Sequence, residues 1–162
     1  MELKTTFWMA LALFGSALGG CGGSAPVTAA AAPLTMEQLR GTWSVEGECI
    51  NDGGILKART IRFTADGYSY NGTRWFALTD TSCVGTAGYE THGDARAAYT
   101  LGSISSGNTE GTELNLPGAP LYTLVKLTAE GRLQVGDNTG ALNGSTTEKR
   151  PTTFATTKYV RD

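Results

Sequence analysis

Residues 55–76 read ILKARTIRFTADGYSYNGTRWF, and this stretch decides the fold class. Within the predicted strand 55–64, Ile61 and Phe63 alternate with Arg62, as expected for a strand with one buried face. The Ala-Asp-Gly sequence that follows is typical of a hairpin turn, and the Tyr-Ser-Tyr sequence after it begins the next strand. We therefore predict two consecutive antiparallel strands here.

The Asn71-Gly72 pair leaves two alternatives for the second of these strands. If the pair forms a two-residue hairpin, Tyr68 lies opposite Trp75 on one face. If the pair forms a bulge, the strand continues to about Leu78. Both alternatives stay open from the sequence.

Further strands are predicted on both sides of this stretch, because short runs rich in β-branched and aromatic residues are separated by Gly, Asn and Asp. They span residues 42–49, 86–91, 95–104, 112–116, 121–127, 133–136 and 153–160. A single helical turn precedes them, with Thr35 as N-cap, Gln38 completing a capping box and Gly41 ending the turn. About eight to ten short antiparallel strands indicate an all-β domain, either a small barrel or a sandwich.

The N-terminal residues indicate export. Residues 7–18 form an uncharged, largely apolar run of about a dozen residues, whereas a membrane-spanning helix needs roughly 20. The sequence Leu18-Gly19-Gly20-Cys21 resembles the lipobox of bacterial lipoproteins. The resemblance implies that residues 1–20 are a signal peptide and that Cys21 carries lipid as the first residue of the mature chain. The alternative is an ordinary signal peptide that is cleaved elsewhere.

Residues 21–33 are predicted to be a lipid-anchored flexible tether. The sequence after Cys21 is small, uncharged and low in complexity, and chain scaling gives an average reach of roughly 20 Å. The anchor makes the membrane a partner of the chain. In Gram-negative lipoproteins, an aspartate directly after the lipidated cysteine resembles a signal for retention in the inner membrane. This chain has Gly22 at that position instead. We therefore expect the protein to be located in the cell envelope. The outer membrane is the expected anchoring surface, and the domain faces the periplasm or the cell surface.

The rest of the chain, residues 34–162, has the length of one domain. Removing the signal peptide takes away one acid, Glu2, and one base, Lys4, so that the net charge stays at −2. A slightly acidic chain gives no electrostatic basis for binding nucleic acid.

The chain has three cysteines, and lipid on Cys21 leaves two. In an exported chain the remaining pair, Cys49 and Cys83, indicates one disulfide; two separate buried thiols are the alternative. The chain has no CxxC motif and a single histidine, His92. We therefore expect no metal site and no cofactor.

Two sets of residues resemble known families. Gly41-Thr42-Trp43 after a helical turn resembles the entry of lipocalin-like barrels, in which the tryptophan closes one end. A wider set is Leu39, Gly41, Trp43, Cys49, Arg59, Ile61, Phe63, Phe76, Asp80, Cys83, Gly93, Tyr99, Leu133, Gly136, Asp137, Gly144, Ser145 and residues 149–152. This set, between positions 36 and 161, is similar to the adenomatosis polyposis coli down-regulated-type domain. The resemblance implies a small antiparallel lipocalin-like β-barrel with a cysteine pair and, in animal members, binding of an acylated signalling protein.

The candidate ligand-binding residues are aromatic. Trp43, Tyr68, Tyr70 and Trp75 are candidates for lining a barrel mouth that accepts an acyl chain or another apolar ligand. The alternative is that most of them pack in the core and across strands. No residue is assigned a catalytic role, because the chain has no G-x-S-x-G motif and no partner set for its histidine.

The expected function is that of a membrane-anchored lipoprotein, not an enzyme, whose barrel binds a small apolar ligand or a lipidated partner. The alternative is a protein-interaction lipoprotein such as a lysozyme inhibitor. The sequence Ser105-Ser106-Gly107 resembles the inhibitory loops of such proteins.

Overall fold

The structure is a computed structural model that describes residues 32–93 and 97–162. In this part of the chain the fold is all-β, as predicted, with one short helix, α1 (Met36–Leu39), and one 3-10 helix (Thr147–Lys149). The strands are β1 (Gly41–Val45), β2 (Ile50–Asp52), β3 (Ile55–Phe63), β4 (Tyr68–Phe76), β5 (Tyr89–Thr91), β6 (Thr100–Ser105), β7 (Asn108–Leu116), β8 (Leu121–Leu127), β9 (Leu133–Gly136) and β10 (Phe154–Arg161). Cys21 and the predicted signal peptide, residues 1–20, lie outside the described residues.

All ten strands belong to one antiparallel sheet, in the order β5-β4-β3-β1-β10-β9-β8-β7-β6, with β2 added beside β3. The two strands at the ends of this order, β5 and β6, are not paired with each other. The sheet is therefore not closed into a barrel, and the lipocalin-like barrel stays a prediction. One isolated bridge joins Tyr68, at the start of β4, to Ala97, between β5 and β6, through backbone hydrogen bonds of 2.8 and 3.0 Å.

Strand β4 decides between the two alternatives at Asn71-Gly72. It runs without a break from Tyr68 to Phe76, and its register against β3 shifts between Thr60 and Arg62, so the pair forms a bulge. Asn71 has a φ of 60°, in the left-handed region that asparagine tolerates better than most residues. The strand ends at Phe76, before Leu78, because the chain turns where the Asp80 N–H donates to the Ala77 carbonyl.

The sheet buries apolar side chains on both of its faces. We call the face that carries Trp43 and Ile61, which oppose each other across β1 and β3, the core face. The larger apolar cluster lies on it. A smaller cluster includes Leu56 and Phe76, which oppose each other across β3 and β4. Because side chains alternate along a strand, Leu56 and Ile61 lie on opposite faces, and we call the second one the reverse face.

Helix α1 covers the Trp43 end of the core face. The predicted capping box is present: Thr35 Oγ1 accepts from the Gln38 N–H, and the Gln38 side chain accepts from the Thr35 N–H. The Trp43 indole N–H donates to the Leu39 carbonyl at 2.8 Å, and the Leu34 N–H donates to Thr112 Oγ1 at 2.7 Å. These bonds fasten the start of the domain to the sheet.

Several strand boundaries differ from those predicted, and positive φ angles at glycine explain two of them. Strand β1 stops at Val45 rather than at residue 49, because the chain turns at Gly47 with a φ of 70°. The strand predicted from residue 86 begins only at Tyr89, after Gly85 with a φ of 102°. The strand predicted from residue 95 begins at Thr100.

Candidate functional site

A cleft of about 760 Å³ lies where the ends of β1 and β10 meet the loop of residues 77–88. Its apolar lining comes from both strands and from the loop. These residues are Val45, Val160, Cys83 and Val84. Its charged lining consists of Glu46, Glu48, Arg74, Arg132, Arg161 and Asp162.

A partly buried ion pair lies at the cleft. Arg74 is 8% exposed, and its Nη1 lies 2.5 Å from Asp162 Oδ1. Its Nη2 donates to the Gly85 carbonyl, whereas its Nε is buried and has no partner among the described residues. The Ser44 hydroxyl donates to the Asp162 carboxylate at 2.8 Å. Four parts of the chain therefore converge at this point: β1, β4, the loop and residue 162.

The sheet register explains how these residues meet. Ser44 opposes Val160 on β10, so residue 162 reaches the end of β1. Ser44 also opposes Thr60, and Thr60 opposes Gly72 on β4. Because side chains alternate along a strand, Arg74, two residues after Gly72, lies on the same face as Ser44. The pairing of the first strand with the last thus brings Asp162 to Arg74.

Burial raises the pKa of Asp162, while the hydrogen bond from Ser44 and the charge of Arg74 act in the opposite direction. The hydrogen bond from Ser44 and the charge of Arg74 thus partly offset the cost of burying the carboxylate.

The other two acids at the cleft are also paired, whereas Arg161 donates to the Gln38 carbonyl and lies over the Trp43 ring. Arg132 Nε lies 2.7 Å from Glu46 Oε1, and Arg59 Nη2 lies 2.6 Å from Glu48 Oε2. The hydrogen bond from Arg59 lowers the pKa of Glu48. Three acids and three arginines line the cleft, so it has no excess of either charge. Such a lining suits a ligand with little or no net charge.

The predicted disulfide is present and closes one side of the cleft. Cys49 and Cys83 are bonded, with their Cα atoms 5.4 Å apart. The bond fastens the loop of residues 77–88 to the start of β2, and Cys83 itself lines the cleft. Together with the bond from Arg74 to Gly85, it holds the loop over the sheet at two points.

The four aromatic residues predicted to bind ligand all lie on the core face, but none of them lines the cleft. Trp43 and Tyr68 are buried in the larger cluster. Tyr70 stacks on Tyr68 with ring centroids 6.0 Å apart and is 40% exposed. Trp75 is half-buried, with the Lys57 ammonium 5.7 Å from its ring centroid. Their role in ligand binding stays a prediction.

The sequence prediction missed Arg74, Asp162 and Ser44. The sequence does contain one indication that Arg74 has a partner. Strand alternation places Arg74 on the same face as the apolar Phe76, and an arginine on an apolar face is rarely buried unless it is paired. Nothing near Asp162 or Ser44 in the sequence indicates that they meet, because they are 118 positions apart.

The remaining candidates add no residue to the cleft. His92 pairs with Glu90 at 3.3 Å, and Ser105–Gly107 forms the turn between β6 and β7. Within residues 32–93 and 97–162, no group of three or more His, Cys, Asp or Glu side chains is placed to hold a metal ion. No helix in that same part of the chain is long and apolar enough to cross a membrane.

Comparison of the chain with protein-family models, curated proteins and solved structures found no match.

Proposed function

We propose that this chain is a lipid-anchored binding protein of the cell envelope, not an enzyme, which holds a small, largely apolar ligand or the lipid group of a partner. The cleft between β1, β10 and the disulfide-linked loop is the observation that carries the proposal. Its volume of about 760 Å³ lies within the range of small-molecule sites, roughly 300–1,000 Å³. Each of its three acids is paired with an arginine, and Val45, Val84, Val160 and Cys83 supply its apolar lining.

We further propose that the domain is a lipocalin-like barrel of the adenomatosis polyposis coli down-regulated type. The two strands at the ends of the sheet order, β5 and β6, are consecutive in sequence, and Ala97, which lies between them in sequence, forms a bridge to Tyr68 at the start of β4. The short helix over Trp43 supports the same proposal.

The membrane anchor in this proposal is Cys21, at the outer membrane. The order of apolar run, small residues and cysteine supports it. In bacteria fed an alkyne-tagged fatty acid, we expect label on the wild-type chain and none on Cys21→Ser. A labelled Cys21→Ser chain, or an unlabelled wild-type chain, would remove the anchor from the proposal.

Native mass spectrometry of the purified full chain tests ligand binding. We expect a bound small molecule on the wild-type chain and its loss in Val84→Glu, because the new charge stands on the apolar lining at an exposed position. Leu142→Glu is the matched control, since Leu142 is also exposed and does not line the cleft. The proposal fails if nothing copurifies and no fatty acid raises the melting temperature.

A further inference from the structure

Most exposed large hydrophobic side chains of the described chain lie on strands β2 to β5 and on the loop between β4 and β5. Of the seven exposed large hydrophobic residues in the described part of the chain, six lie between residues 50 and 89. Tyr89 is 65% exposed and Ile50 is 45% exposed. Isolated exposed hydrophobic residues are ordinary, whereas a group of them marks an interaction surface.

Two members of this group, Ile50 and Tyr89, lie at the ends of a row of four side chains that crosses four strands and includes the half-buried Lys57 and Trp75. Ile50 on β2 opposes Lys57 on β3, Lys57 opposes Trp75 on β4, and Trp75 opposes Tyr89 on β5. Directly opposed residues project from the same face, and neighbouring strands are about 4.8 Å apart. The row, which we call the aromatic stripe, is therefore about 14 Å long.

Charged pairs lie within and beside the aromatic stripe. Lys57 Nζ lies 2.7 Å from Asp52 Oδ2 and 5.7 Å from the Trp75 ring centroid. Arg59, two residues along the same face of β3, is paired with Glu48. These groups place hydrogen-bond donors and acceptors beside flat rings, with no excess of charge.

We propose that the aromatic stripe binds a saccharide chain. A pyranose ring has C–H groups on its flat faces and hydroxyl groups around its edge, so it stacks on Trp75 and Tyr89 while its hydroxyls bond to the paired charges. A polyanion is disfavoured because Asp52 and Glu48 balance the two bases. A protein partner is disfavoured because charged residues are depleted at the centre of such interfaces, whereas Lys57 lies inside the row.

The stripe lies away from the point at which the described chain enters the sheet. Helix α1 leads into Gly41, which opposes Phe63 at one end of β3. Lys57 lies six residues away along β3, about 20 Å from that end. The stripe therefore stands at the opposite end of β3 from α1.

Cosedimentation of the detergent-solubilised full chain with insoluble peptidoglycan sacculi and with chitin tests this inference. Titration with soluble N-acetylglucosamine oligomers, followed by tryptophan fluorescence, gives the affinity. We expect the wild-type chain to bind, and Trp75→Ala and Tyr89→Ala each to weaken binding by about tenfold or more. Leu142→Ala, an exposed hydrophobic residue outside the stripe, should bind as the wild type does.

Thermal unfolding of each variant shows whether it is folded, and Tyr89→Ala decides if Trp75→Ala does not fold, because Tyr89 is the more exposed. The inference is overturned if the wild-type chain binds none of these saccharides, or if it binds them equally well after both substitutions. The inference is also overturned if the folded chain binds a protein through the stripe and binds no saccharide. Val84→Glu should retain saccharide binding, so this result is separate from the test of the cleft.

Discussion

At the scale of single residues, Arg74 determines the electrostatics of the cleft. It forms an ion pair with Asp162 and donates to the Gly85 carbonyl. Its guanidinium carbon lies 5.2 Å from the centroid of the Phe76 ring. Removing Arg74 would leave the partly exposed Asp162 carboxylate with the Ser44 hydroxyl as its remaining side-chain partner.

We expect Arg74→Met to lower the free energy of unfolding by about 2 kcal/mol, since the Asp162 carboxylate and the Gly85 carbonyl lose a charged hydrogen-bond donor. Methionine keeps most of the contact with Phe76. Urea unfolding measures the loss. Arg132→Met is the control: its pair with Glu46 is half-exposed and should contribute less than about 1 kcal/mol. Equal losses for the two variants would contradict the prediction.

Tyr68 should make stability depend on alkaline pH. Burial raises the pKa of its hydroxyl, so the folded state holds that proton more tightly than the unfolded state. The contribution of this group to the free energy of unfolding is complete below about pH 10, the ordinary pKa of tyrosine in the unfolded chain, and is lost as the pH rises further. We expect Tyr68→Phe to lose less stability than the wild type between pH 8 and pH 11 in urea unfolding. Identical slopes for both chains would contradict this.

At the scale of elements, the bulge in β4 shapes the half of the sheet that carries the cleft. It changes the register by one residue, so that Tyr70 and Trp75 share the core face while Arg74 and Phe76 share the reverse face. Gly72 is required at this point. A Cβ built there would lie 2.2 Å from Thr60 Oγ1 and 3.0 Å from the Thr91 carbonyl oxygen.

We expect Gly72→Ala to destabilise the protein by about 2 kcal/mol, because the added methyl displaces Thr60 or the backbone of β5. Gly118→Ala is the matched control, since nothing lies within 4 Å of its Cβ position. That variant should be neutral or slightly stabilised. Thermal unfolding of the two variants decides, and a neutral Gly72→Ala would show that Thr60 moves aside at little cost.

The sequence predicts elements well where alternation is regular and turns are short. Strands β8 and β9 have the predicted bounds, 121–127 and 133–136. Prediction fails where glycine redirects the chain, as at Gly47 and Gly85. It also does not choose between bulge and hairpin at Asn71-Gly72, because an Asn-Gly pair suits both a tight hairpin turn and a bulge that contains a residue in the left-handed region.

At the scale of the whole molecule, the cleft exists because distant parts of the chain pair. Strand β1 pairs with β10, which brings Ser44 to Asp162 across 118 positions. Local patterns report burial and turns, whereas long-range pairing decides which polar residues meet. This is why Cys49 and Cys83 could be predicted as a pair from their chemistry, and the group around Arg74 could not.

The disulfide acts on the whole chain because it limits the unfolded state. It joins residues 34 positions apart, and loop-closure entropy gives roughly 3–4 kcal/mol of stabilisation. We expect the Cys49→Ser/Cys83→Ser double variant to lose about that much stability and also to bind the cleft ligand more weakly, because the loop is freed on one side. Unfolding and native mass spectrometry measure the two effects. Unchanged ligand occupancy in the double variant would show that the Arg74–Gly85 contact alone positions the loop.

The placement of β1 also has a mechanical consequence. The chain that precedes Leu34 enters the domain through α1 and then β1, which is paired on one side with β3 and on the other with β10. In the proposed anchored protein, a pull on the N-terminal segment would therefore act on a strand that is hydrogen-bonded on both sides. Two rows of hydrogen bonds would have to break before β1 left the sheet.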